Sequence, residues 1–157
     1  MDTKESATTQ TVFKVKMDGN ENTNQVMATL GFPFDERIKQ KNFPLTQSET
    51  LREDEIEIVY PGVFFTEAEG LEILKNKGLE RPTYKHAVRF AEQHGKATTS
   101  EEKPFVIFLH EAWLSNHGRR IVYVDRSPDG RGLYLVYPGR RFRSDCVLAG
   151  VRPPSSR

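Results

Sequence analysis

A chain of 157 residues that is 36% hydrophobic and 29% charged, with one cysteine and a net charge of +1, has the size and composition of one globular domain. It can bury roughly 70% of the surface its unfolded form exposes, so it needs neither disulfide nor metal; lone Cys146 excludes an internal disulfide framework and argues for a reducing compartment. The longest apolar run, FVIFL at 105–109, is far short of the ~20 residues that cross a bilayer, so no membrane partner is expected.

The chain begins MDTKESATTQ, a polar tail over 1–10 with no apolar core, which sets the expectation of a soluble, cytoplasmic protein without a signal peptide. Residues 11–157 read as a single α+β domain. TVFKVKM (11–17) alternates like a half-buried strand, and NQVMATL (24–30) alternates Val26, Ala28 and Leu30, which suggests a hairpin across the DGNENT turn. From Gly31 to Glu55 the pattern predicts loop, with a short helix at DERIKQK. EIEIVYPG (55–62) is a strand that ends in a Pro-Gly turn of type II.

Two helices follow. TEAEGLEILKNKG opens on Thr66 and Glu69, spaced as a capping box, and stops at Gly78. The second runs from about Thr83 to His94, with Tyr84, Ala87, Val88 and Ala91 on an apolar stripe and Lys85, His86, Arg89 and Gln93 broadly opposite. After the polar linker KATTSEEK, strands are expected at 105–110, 120–125, 132–137 and 145–151. The fold class is therefore α+β: an antiparallel sheet or meander with a two-helix hairpin packed on one face or end. VYPGVFF (59–65) and VYPGRRF (136–142) echo one another, read as one turn type used twice.

The near-neutral total hides a split. Residues 1–80 hold 9 Lys+Arg against 15 Asp+Glu, while residues 81–157 hold 14 against 7, and 11 of those 14 are arginine. The acidic half over 11–80 and the basic half over 81–157 either present a basic binding face or neutralise each other within the fold. TEAEGLEILKNKGLERPTYKHAVRF resembles helix-turn-helix segments, although Leu74 and Lys77 depart from the usual small and apolar residues. That resemblance implies a second helix in the major groove, with Arg81, Lys85 and Arg89 at phosphates or guanine and Gln93 at adenine. Farther on, Arg119, Arg120, Arg140, Arg141 and Arg143 interleave with Tyr123, Tyr134, Tyr137 and Phe142, residue types that stack bases and meet phosphates. GRRFR is the densest of these clusters.

Chemistry is thin. One cysteine and four scattered histidines exclude zinc spacing, no phosphate loop is present, and no cofactor is implied. Cys146, in CVLAGV, reads as a buried, inert thiol. His110 reads as a sheet-end histidine satisfied by the backbone; with Glu111 and Arg119 or Arg141 it could instead form a metal-free phosphodiester-cleaving site. The expected function is a small non-enzymatic binding or regulatory protein that contacts nucleic acid through the basic half. The alternatives are an adaptor or inhibitor docking an acidic protein partner and, behind it, a metal-free ribonuclease. The sequence does not set the oligomeric state.

Overall fold

Apolar residues at period two build a seven-stranded sheet, and two separate cores form because both sheet faces are apolar at its centre. The structure, a computed structural model, describes residues 11–46, 52–95 and 104–154. The polar tail over 1–10 and the whole KATTSEEK linker lie outside them. The strands are β1 (Val12–Lys16), β2 (Glu53–Val59), β3 (Phe105–Ile107), β4 (Trp113–Ser115), β5 (Gly118–Asp125), β6 (Gly132–Val136) and β7 (Cys146–Val151). The helices are α1 (Thr23–Thr29), α2 (Glu67–Asn76) and α3 (Tyr84–His94).

The strand order is β1-β2-β7-β3-β5, with β4 and β6 also pairing β5. The sheet is mostly antiparallel, but β7 enters between β2 and β3 and runs parallel to β3, with Phe105 opposite Cys146 and Ile107 opposite Leu148. The expected meander is thereby corrected. All six residues of β7 are buried. Parallel strands need both faces covered, because their crossover connections leave neither face to water.

The helices divide accordingly. Phe13, Val15, Ile56, Val106, Phe108, Val122 and Val147 join the core under α1 and α3, while Ile107, Leu109, Ile121 and Leu148 join the one under α2. Phe90 of α3 is fully buried and meets the rings of Phe13 and Phe108 at 5.3 and 5.6 Å. On the opposite side α2 approaches closely, since a Cβ at Gly70 would lie 2.6 Å from the Leu109 side chain. The expected two-helix hairpin is therefore corrected: α2 and α3 lie against opposite faces. Their connection runs through the plane of the sheet, where Glu80 exchanges both backbone hydrogen bonds with Val151 beside β7.

Local chemistry explains two further departures. NQVMATL is helical as α1 because Asn22 and Gln25 form a capping box, each side chain bonding the other's backbone N–H at 2.9 and 2.8 Å. Val26, Met27 and Leu30 then share a buried helical face, a pattern that also mimics period two. DERIKQK forms turns in place of a helix: Asp35 binds the Arg37 backbone and guanidinium, so the side chain competes with helical bonding.

At the edge of the sheet α3 closes the outer side of β1. The Gln93 side chain accepts from the Lys16 N–H and donates to the Lys16 carbonyl, both at 2.8 Å, and His94 Nε2 lies 2.9 Å from the Lys14 carbonyl. Gln93→Ala is expected to lower the unfolding free energy by about 1–2 kcal/mol, because two backbone groups lose their partner. A urea melt reads this; an unchanged midpoint would show that water replaces the side chain at no cost.

Candidate anion-binding groove

The two echoing segments meet. Phe65 and Phe142, the last residues of VYPGVFF and VYPGRRF, exchange backbone hydrogen bonds of 3.0 and 2.7 Å, and their rings stack at 5.4 Å. The turns themselves differ, which corrects the expectation of one type used twice. Gly62 has φ 73°, as a type II turn demands, whereas Gly139 does not take a positive φ. Together the two segments carry exposed Val63, Phe64 and Tyr137 beside Arg140 and Arg141, and the Arg141 guanidinium lies 5.6 Å from the centre of the Phe64 ring.

Next to this surface, on the α2 side of the sheet, lies a groove of about 500 Å³. Phe105, Ile107, Tyr123 and Val136 form its floor, and Arg140, Arg143, Asp145 and Cys146 stand along its walls. α2 covers the same face only farther along, at Leu74 and Leu148, so the Phe105 and Tyr123 rings stay partly exposed. Burial, followed by the neighbouring Asp145 charge, pushes the Cys146 thiol up to about 11, which leaves it an inert wall. Tyr123 is also raised, first by burial and then by Asp125, so its ring carries a neutral hydroxyl.

Of the residues singled out from sequence, the structure commits about half to internal contacts. Arg81 donates to the Leu109 and His110 carbonyls at 2.7 and 3.3 Å and lies 3.7 Å from Glu67. His86 Nε2 sits 2.8 Å from the buried Asp54 carboxylate, and its Nδ1 accepts from the Thr83 N–H that precedes the helix. Arg89 is 3% exposed and pairs with Glu92 and Glu21 at 2.9 and 3.6 Å. Gln93 is spent on Lys16, and Arg119 reaches both Glu67 oxygens at 3.0–3.1 Å. Lys85 is half-buried over a small recess, and Arg120 donates to the Arg119 carbonyl.

The polar side of α3 thus faces the protein, and with α2 on the other sheet face no helix-turn-helix forms. Arg81, Arg89, Arg119 and Arg152 all pair with acids of the first half, Glu67, Glu21, Glu55 and Glu57, so much of the charge split closes within the fold. Arg140 and Arg141 pair with no carboxylate among the described residues, and Arg143 only reaches its near neighbour Asp145 at 3.9 Å. Phe64 and Asp145, which complete the surface, carry no sequence signal beyond their place near the two YPG turns.

The sequence pattern puts Asp54 in a loop, but β2 starts at Glu53 and puts Asp54 on the face of Ile56 and Ile58, toward α3. Burial pushes its carboxyl up, yet the hydrogen bonds and charges of Arg52 and His86 outweigh that and hold it below the usual range. Among the described residues no cluster of three His, Cys, Asp or Glu could hold a metal.

His110 occupies a break in the sheet between β3 and β4. Its Nε2 accepts the Val122 N–H at 2.9 Å where the strand ladder lapses, and Nδ1 donates to the Glu111 carbonyl at 2.7 Å. Both ring nitrogens are used and the side chain is 1% exposed, so the phosphodiester-cleaving arrangement with Glu111 is not assembled. No protein-family model matches the chain, and no curated protein or solved structure matches it either.

Burial, the dominant cause, and the charge of Arg81 bring the His110 pKa down from 6.5 to about 4. A base lowered on folding is protonated first in the unfolded chain as pH falls, so its stabilising effect is full above pH 6.5 and is lost toward pH 4. The loss from this residue should reach about 3 kcal/mol. Urea melts between pH 7 and pH 4 read the slope, and His110→Gln should be less stable at pH 7 yet flatter across that range.

Proposed function

We propose that the protein is a small non-enzymatic binding protein that takes single-stranded nucleic acid through the basic C-terminal half, at the groove that Arg140 lines beside the second YPG segment. The observation that carries the reading is the pair Arg140 and Arg141, held beside an apolar, ring-lined groove without a carboxylate partner among the described residues. Guanidinium groups meet phosphates in a flat fork, and an open face of rings accepts bases whatever their sequence. A single strand suits this surface better than a duplex does, because a groove of about 500 Å³ admits a splayed base but no helix. Exposed Val63 and Phe64 favour a second reading, in which an acidic protein partner lays an apolar side chain on them.

Anisotropy titrations against unphosphorylated single-stranded DNA, RNA and duplex DNA at two salt concentrations separate the two. The nucleic-acid reading expects tighter binding of single strands that weakens steeply with salt. Arg140→Ala plus Arg141→Ala should weaken it across sequences and flatten the log–log salt slope by about 1.4, at about 0.7 per lost phosphate contact. Absence of binding at low salt overturns this reading and leaves the acidic protein partner.

A further inference from the structure

A second basic site lies away from the groove, where the end of β1, the start of β2 and the first turns of α3 meet. Met17, Leu45, Thr46, Arg52, Lys85 and Arg89 line a recess of about 170 Å³ there. Lys85 and Arg89 reach it from the same side of α3, being four residues apart on the helix.

Arg89 is the unusual member. Its side chain is 3% exposed, and Nη1 takes the Glu92 and Glu21 carboxylates, while the buried Nε–H has no hydrogen-bond partner among the described residues. A buried N–H of a charged group left unmade is costly and rare, and such groups mark places where water or an ion binds. Arg52 spends Nε and Nη2 on Asp54, and its side chain is 62% exposed at the mouth. Lys85 has no carboxylate partner among the described residues, so it brings charge that the fold does not compensate. Asp18, whose carboxylate accepts from the Arg52 backbone N–H, is the remaining acid nearby and lies under the influence of Lys16 and Arg89.

We infer that this recess binds a phosphoryl group, with Arg89 Nε–H and the Lys85 ammonium donating to its oxygens and Arg52 over the entrance. Arg52 and Arg89 already hold carboxylates, so the uncompensated charge is that of Lys85. Its ammonium and the unused Arg89 Nε–H together offer several donors, which suit an oxyanion with several acceptor oxygens. The positive end of the α3 dipole lies at the same turn and adds to the attraction. A recess of about 170 Å³ takes a phosphoryl group and a few waters but not a nucleoside, so the ligand is either free orthophosphate or a terminal phosphate on a larger molecule that stays outside.

Calorimetric titration of the full chain with orthophosphate and with adenosine 5′-monophosphate, at constant chloride, tests the site. Binding of either is expected, and the tighter of the two identifies the source. Lys85 is half-buried and makes no ion pair among the described residues, so Lys85→Ala should fold as the parent does, which circular dichroism checks, and bind at least tenfold more weakly. Arg89→Lys keeps the charge but loses the fork and should weaken binding as well. No heat with either ligand, or equal affinity in Lys85→Ala, overturns the inference. Neither result touches the Arg140–Arg141 groove.

Discussion

Burying β7 on both faces is the constraint from which the rest of the architecture follows. Its six residues, Cys146–Val151, are all buried, with β2 on one side and β3 on the other. Such a strand needs an apolar layer above and below, and three helices must supply both. α2 takes one side with Leu74, while α1 and α3 take the other with Val26, Val88 and Phe90. The short connection at Glu80 passes beside Val151 because this is the place where β3 has ended and a backbone partner is wanted. The two adjacent helices in the sequence are thus separated by the sheet they cover.

Charge is handled by the same geometry. Placing α3 on β2 sets His86 against Asp54, and the edge of α3 sets Arg89 against Glu21. Buried ionic groups of this kind do not stabilise a fold much relative to apolar residues of the same size. Their effect is on register: Asp54 meets both Arg52 and His86 in a single alignment of helix on strand. Arg126 is drawn inward too, lying 5.2 and 5.6 Å from the Phe13 and Phe90 rings, so a residue that looks like part of a basic surface is one wall of the core. What remains outside is the small group around Arg140 and the recess at Lys85.

Much of the secondary structure was legible from the sequence because its signals are local. The Thr66–Glu69 capping box and the terminal Gly78 gave α2, and alternation in TVFKVKM and EIEIV gave β1 and most of β2. The order of the strands was not legible. Whether CVLAGV pairs at an edge or in the middle depends on contacts with Ile56–Val59 and Phe105–Ile107, far away in the chain. α1 was missed because Val26 and Leu30 fit both periods, and the deciding bonds of Asn22 and Gln25 weigh little in a pattern read by hydropathy. For the candidate surfaces, GRRFR stood out by density, but the difference between Arg140 and Arg119 is a single acid, Glu67, brought in from the other half. Nor could composition tell that Arg89 is buried.

The place of β7 also has a consequence in time. It is the last of the described strands to leave the ribosome, yet it occupies the middle of the sheet. Until it emerges, β1–β2 on one side and β3–β5–β6 on the other each show a bare backbone edge, along Ile56–Val59 and Phe105–Ile107. Long-range closure of this sort is slow compared with local pairing. Bare apolar edges also invite pairing with other chains. A chain in which β7 has not docked would leave two half-sheets with facing edges, and one hexapeptide is what joins them.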